Sequence, residues 1–287
     1  MIPYARHYIS KNDIQKVTKV LKNQNLTQGN ENILLEKKLI QTLKCKYALT
    51  LNSSTSSLFL ACKALDIQKN DIVWTTPITF VASANCALTL GAKIDFVDID
   101  YNTNNICANK LLEKLKKTKK LPKILIVVHL GGLPCDMKKI KKLSKIYNFK
   151  IIEDACHALG AKIDKYPVGS CKYSDITTFS FHAIKTITSG EGGAISTNNI
   201  KIYKKIKLLR SHGIKKIRFF RKNKSILINE QITLGYNMRL TEFQAILARN
   251  QLNRLGQIMK RKKLISNLYV KKLKKLPITL PKIQPNL

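Results

Sequence analysis

The chain has 287 residues, of which 44% are hydrophobic, and a formal net charge of +35. It is long and apolar enough for a real core, as one large domain or up to two ordinary ones, which excludes a disordered protein. No apolar run approaches the ~20 residues of a membrane span, and the N-terminal MIPYARHYISKND lacks the apolar core of a signal peptide. Lysine greatly outnumbers arginine and the basic residues spread along the whole chain; neither feature fits specific nucleic-acid readout, which favours arginine and a localised stripe.

Ser10 or Asn12 can cap a first helix in which Ile14, Val17 and Leu21 share one face. LTQG ends that unit in a loop, and NILLEKKLIQTL reads as a second helix. YALTLNSSTSSLFLACKAL runs strand, Ser/Thr turn, helix. DIVWTTPITFVASANCALTLGAKIDFVDID reads strand, loop around Pro77, helix, strand. KILIVVHLGG and FKIIEDACHALGA are apolar runs of strand length with a Lys- and Ile-rich helix between them; DITTFSFH and GGAISTN add two more strands. From about residue 241 the pattern changes: TEFQ, with Thr241 and Gln244, is a capping box. It opens one long helix to about Leu276, with Leu247, Leu252 and Leu255 among its apolar positions.

Strands alternating with helices predict an α/β layer fold, and the continuous apolar runs predict a mostly parallel sheet covered on both faces by helices. Ligands of such sheets sit beyond the carboxyl ends of the strands. The polar singularities of this chain fall there: Ser53 to Ser56, Thr79 and Phe80, His129, Asp154, and Ser180 to Lys185. The seven cysteines are scattered, odd in number and without a C-x-x-C pair. They read as free thiols in a reducing compartment, with no disulfide framework and no metal site.

Four features carry chemistry. Asp154 ends an apolar strand, where a carboxylate needs a cationic or donor partner; it suits either a structural ion pair or a cofactor cation. The small polar turn NSSTSSL at a helix start offers hydroxyls and free N–H groups, a phosphate cradle or an ordinary N-cap. Phe80, in a strand-end loop, belongs either to the core or flat against a planar ring. Lys185 stands apart from the lysine clusters, among Ile184, Thr186 and Ile187; a lysine in apolar company snorkels to water or becomes a nucleophile. An acid for a ring nitrogen, a phosphate cradle, a stacking aromatic and a lone lysine together describe pyridoxal 5'-phosphate.

The strings LTQG, NSSTSSL, PITFVASAN, GAKIDFVDID, VVHLGGLPCDM, IIEDACHALGA, FSFHAIKTITSGEGG, LRSHG and LGYNMRLTEFQAILARNQL, in this order from Ile2 to about Tyr269, resemble the DegT/DnrJ/EryC1/StrS sugar aminotransferases. The resemblance implies a fold type I pyridoxal-phosphate transferase. It implies that Lys185 forms the Schiff base and shuttles the proton, that Asp154 pairs with the pyridinium nitrogen, and that Phe80 stacks on the ring. His157 would stand near the phenolic oxygen, and Ser54, Thr55 and Ser180 would hold the phosphate. Asn237 would reach the phosphate of a neighbouring subunit, making a homodimer with shared sites the active unit. Tyr4 and the loop of Asn25, Leu26, Thr27 and Gln28 would line the sugar-nucleotide site. Lysine at 185, where related dehydratases carry histidine, implies transamination, and His182 reads as a hydrogen-bonding neighbour.

VWTTPITFVASANCAL, EDACHALGA and FSFHAIK are most like the branch serving pseudaminic acid biosynthesis. That branch transfers the amino group of L-glutamate to C4 of a UDP-linked 4-keto-6-deoxy-N-acetyl hexose in the cytoplasm. The alternatives are another nucleotide 4-keto sugar, or a truncated non-catalytic homologue that binds the cofactor. Members of the family usually continue for a further small domain. The expected division is therefore residues 1–240, an N-terminal segment and the large cofactor domain, and residues 241–287, the long helix and the start of a largely absent small domain.

Overall fold

The computed structural model of the chain describes residues 5–23, 25–221 and 224–280. Ser10 opens helix α1 (Lys11–Asn23). The Asp13 N–H donates to the Ser10 hydroxyl at 3.2 Å, and the Ser10 N–H donates to the Asp13 carboxylate at 2.8 Å, a reciprocal cap. The buried face of α1 differs from the one its aliphatic pattern predicts. Ile14 and Leu21 are exposed, while Asp13 and Val20 are buried. Asp13 decides the rotation, because its carboxylate accepts from Arg254 at 2.6 Å and from Asn250. Burial favours the neutral acid, but the Ser10 N–H, Asn250, the Ser10 hydroxyl and Arg254 hold its pKa below the ordinary value.

Helix α2 (Asn30–Leu43) buries Leu35, Leu39 and Leu43 at helical spacing. The alternation then begins: β1 (Tyr47–Leu51), α3 (Ser54–Ala64), β2 (Ile72–Thr75), α4 (Ala82–Leu88), β3 (Lys93–Phe96), α5 (Ala108–Lys117), β4 (Ile124–Val128), α6 (Met137–Tyr147) and β5 (Lys150–Asp154). A two-residue ladder, β6 (Lys162–Ile163) with β7 (Tyr166–Pro167), precedes β8 (Ile176–Ser180), β9 (Gly193–Thr197) and α7 (Ile200–Leu209). A hairpin, β10 (Ile214–Arg221) and β11 (Lys224–Gln231), leads to α8 (Glu242–Asn253) and α9 (Leu255–Leu273).

The main sheet has seven strands in the order β1-β9-β8-β5-β4-β2-β3. Only β9 opposes the rest, because a loop and not a helix joins it to β8. Both faces are covered, and the pleat sorts the residues. Leu125 and Val127 of β4 join the core under α2, α5, α6 and α8; Ile124 and Ile126 join the core under α3, α4 and α7. This two-sided burial is why the strands read as unbroken apolar runs.

Two features depart from the sequence expectation. The expected single helix after residue 241 is two helices, because Arg254 leaves helical geometry (φ −97°, ψ 6°). Its guanidinium lies 5.4 Å from the Tyr8 ring centroid while it pairs with Asp13. The hairpin β10–β11 is not foreseen at all, since charges interrupt its apolar alternation and the pairing of Ile217 with Ile228 appears only in the register. The capping box at α8 forms as expected, with the Thr241 N–H donating to the Gln244 side chain at 3.2 Å. Among the described residues no helix is long and apolar enough to cross a membrane.

Candidate active site

The carboxyl ends of β5 and β8 and the start of α3 meet around one cavity of about 410 Å³. Strand pleating sets its floor. Asp154 shares a face with Ile152, and Ser180 with Ile176 and Thr178, because side chains two apart point the same way. Asp154 is 5% exposed. One carboxylate oxygen accepts from the Ser83 hydroxyl at 2.7 Å, the other from the Cys156 N–H at 3.2 Å. Ser83 is held in turn by Thr79, hydroxyl to hydroxyl at 2.9 Å.

The wall is the first turn of α3. Ser53 caps it, its hydroxyl accepting from the Ser56 N–H at 3.0 Å. Among the described residues the Ser54 and Thr55 N–H groups have no partner, as the first turn of any helix leaves them. Ser180 adds a third hydroxyl: its oxygen accepts from the His182 N–H at 3.3 Å, which leaves its own proton to donate. Gly193 lets β9 pass this close, since a Cβ there would lie 2.4 Å from the Ser53 carbonyl. Hydroxyls, free N–H groups and the positive end of a helix make an anion cradle.

Lys185 rises from the loop between β8 and β9. The loop is pinned on both sides of it: the Lys185 N–H donates to the His182 carbonyl at 3.0 Å, Ile187 is fully buried, and the Thr188 N–H donates to the Gln251 side chain at 3.0 Å. The side chain faces the cavity half-exposed. Of its expected apolar neighbours, Ile187 is buried and Ile184 exposed. Phe80 borders the same cavity and is 73% exposed, so it is not a core residue. His157 borders it too. Its Nδ1 accepts from the Gly131 N–H at 3.3 Å, which places the proton on Nε2. Burial first, then the Lys185 ammonium, pushes its pKa below the usual imidazole value.

The structure therefore brings Ser54, Thr55, Phe80, Asp154, His157, Ser180 and Lys185 to one cavity. It does not bring the remaining predicted residues there. Asn237 pairs with Ser211 in an isolated bridge off the cavity. Asn25, Leu26, Thr27 and Gln28 form an exposed loop against α8, where the Leu26 carbonyl accepts from the Glu242 N–H at 2.9 Å. Tyr4 lies outside the described residues.

A match to the DegT/DnrJ/EryC1/StrS aminotransferase family spans residues 7–286. The chain belongs to that family. It is 42% identical over 275 residues to a UDP-4-amino-4,6-dideoxy-N-acetyl-β-L-altrosamine transaminase of Campylobacter jejuni, covering 96% of this chain and 70% of that one. Among solved structures it is similar to Helicobacter pylori PseC, an aminotransferase involved in the biosynthesis of pseudaminic acid, with a TM-score of 0.87 and 33% identity over 96% of this chain and 71% of that one. It is also similar to the PLP-form of the sugar aminotransferase Spr1654 of Streptococcus pneumoniae, with a TM-score of 0.83 and 26% identity over 96% and 72% of the two chains.

Within this family member, several site residues escaped the sequence reading. Ser83 touches Asp154 across 71 positions, and no local pattern announces such a pair. Cys156 lines the cavity with its sulfur 2.8 Å from the Ser54 hydroxyl. Burial, then the neighbouring Asp154 carboxylate, pushes its thiol well above the ordinary pKa, which keeps it protonated and unreactive. Glu191 stands at the rim, 3.7 Å from His182. A Gly-Glu-Gly-Gly string beside the lysine was the available signal for Glu191; Cys156 had none.

Proposed function

We propose that the chain is a pyridoxal-phosphate aminotransferase that moves the amino group of L-glutamate onto C4 of a UDP-linked 4-keto-6-deoxy-N-acetyl hexose. The observation that carries the reading is the meeting of Lys185, Asp154 and the Ser54–Thr55–Ser180 cradle around one cavity. The relatives named for this reaction and pathway support the substrate class.

The residues fit the cofactor. Ser54, Thr55 and Ser180 supply donors to its phosphate, and the exposed Phe80 ring offers an uncovered face to a planar heterocycle. Asp154 has few donors for a buried carboxylate and suits a protonated ring nitrogen. When bound, pyridoxal phosphate supplies an aldehyde that condenses with amines and a ring that takes up an electron pair. The protein does the rest. The Asp154 carboxylate keeps a proton on the ring nitrogen, and Ser83 orients that carboxylate. The Lys185 amine would carry the proton from Cα of the amino donor to C4' of the cofactor, and in the second half-reaction carry a proton from C4' to C4 of the sugar. His157, neutral and with its proton on Nε2, donates to the phenolic oxygen. Asn237, which lies off this cavity, reaches the phosphate of a second subunit in a homodimer, and the 25–28 loop lines the sugar-nucleotide site.

Replacing Lys185 by alanine is expected to abolish transamination and leave the fold intact. A visible spectrum of the chain with pyridoxal phosphate tests the whole reading. The wild type develops the band of the bound cofactor, and L-glutamate bleaches it. Turnover of Lys185→Ala at the wild-type rate would remove Lys185 from the mechanism. A band that L-glutamate leaves unchanged would mean cofactor binding without transfer.

A further inference from the structure

Lys185 also borders a second cavity of about 580 Å³, whose lining does not include Asp154. The walls are the first residues of the described chain, the Lys185 loop, α8 and α9. The charge there is one-sided. Arg6, Lys185, Arg254 and Lys262 line it, and no acidic residue does so among the described residues. Arg254 is spoken for, its guanidinium 2.6 Å from the Asp13 carboxylate. Lys262, on α9, is not. Its ammonium donates to the Thr186 hydroxyl at 3.0 Å and makes no ion pair among the described residues. Burial and the Lys185 ammonium both push its pKa below the ordinary lysine value. Lys262 thus faces this space with no acidic group lining it, and an anion there would meet an unpaired positive charge.

The chemistry of the proposed reaction says which anion belongs there, and the inference rests on that reading of Lys185. An amino donor must bring its Cα to Lys185, and its carboxylate is bonded directly to that carbon. A 4-keto-6-deoxy-N-acetyl hexose carries no charge near C4; its negative charge lies on the distant diphosphate. A cation one residue contact away from Lys185 therefore suits the donor and not the acceptor. We propose that Lys262 is the carboxylate anchor of the amino donor, with Thr186 as its positioning residue. Thr186, buried and adjacent to Lys185, fixes the ammonium by accepting one of its protons and ties the subsite to the reacting lysine. The remaining ammonium protons, and the Thr186 hydroxyl proton itself, are left for the carboxylate oxygens.

The test uses the cofactor-loaded chain and glutarate, a dicarboxylate without an amine, which binds but cannot react. Calorimetric titration at low salt compares wild type with Lys262→Met and Lys262→Arg, and circular dichroism checks that both variants fold. Losing one charge-assisted contact should weaken glutarate binding about tenfold in Lys262→Met. Lys262→Arg should restore most of it, and binding of UDP should stay unchanged in both. The L-glutamate concentration that half-bleaches the cofactor should rise in parallel with glutarate Kd. Equal glutarate binding by Lys262→Met and wild type would overturn the anchor, as would an equal loss of glutarate and UDP, which would mark a general charge effect. A Lys262-dependent glutarate site in a chain that L-glutamate fails to bleach would keep the subsite and sink the aminotransferase reading instead.

Discussion

Two neighbouring carboxylates on β5 have opposite fates. Glu153 and Asp154 are both buried at the end of one apolar strand, yet the pleat sends them to opposite faces of the sheet. Glu153 enters a closed polar cluster. His129 donates to it from Nε2 at 2.8 Å, its tautomer fixed by the Cys135 N–H, which donates to Nδ1 at 3.2 Å; the Thr177 hydroxyl donates at 3.0 Å, and Ser174 completes the set. Burial pushes its pKa up, but these donors outweigh burial and hold the carboxyl below its usual range. Asp154 has one hydroxyl and one N–H and opens on a cavity that Lys185 also borders. A buried acid with its donors supplied stabilises structure; one left short of donors is available to a ligand. His129, which the sequence singles out at a strand end, belongs to the first kind and faces away from the site.

That contrast can be broken by substitution. Asp154→Asn should cost about 10²- to 10³-fold in transamination rate, since a preorganised charge at the reacting centre is lost, while thermal unfolding stays near wild type. Parallel measurements of rate and melting would reverse the assignment if the melting point fell and the rate held. Glu153→Gln should do the opposite, destabilising by about 2–3 kcal/mol through lost charge-assisted hydrogen bonds, with activity per folded molecule preserved. Urea titrations give this value and its pH dependence. Because the folded pKa of Glu153 lies below the ordinary 4.5, its contribution is full above that pH and is lost as pH falls through the folded value. The stability gap between wild type and Glu153→Gln should therefore be flat near neutrality and close in acid. Ser83→Ala should have the smallest effect, about tenfold or less in rate, because Asp154 keeps its second donor. A loss equal to that of Asp154→Asn would show that Ser83 does more than orient the carboxylate.

The core strands, the cradle turn and the lone lysine were legible because each is written in a short stretch of chain. Apolar runs of strand length bounded by polar residues give strands; a Ser/Thr turn before an apolar helix gives the cradle; a lysine without lysine neighbours stands out by itself. Period two also assigns Asp154 and Ser180 to a common side of their strands once the register is known. The residues missed are the ones whose meaning depends on a partner far along the chain. Ser83 gains its role only where α4 lies over β5, and Lys262 only where α9 lies beside the 185 loop.

The sequence by itself determined the alternation of strands and helices, the family and the candidate lysine at 185, because these rest on local spacing and on strings that occur within a few residues. Only the tertiary structure decided which face of α1 is buried and where the long C-terminal helix breaks. The physical reason is the same in both: a polar contact between distant segments, Asp13 with Arg254. In α1, satisfying that buried charge outweighs the preference of several aliphatic side chains.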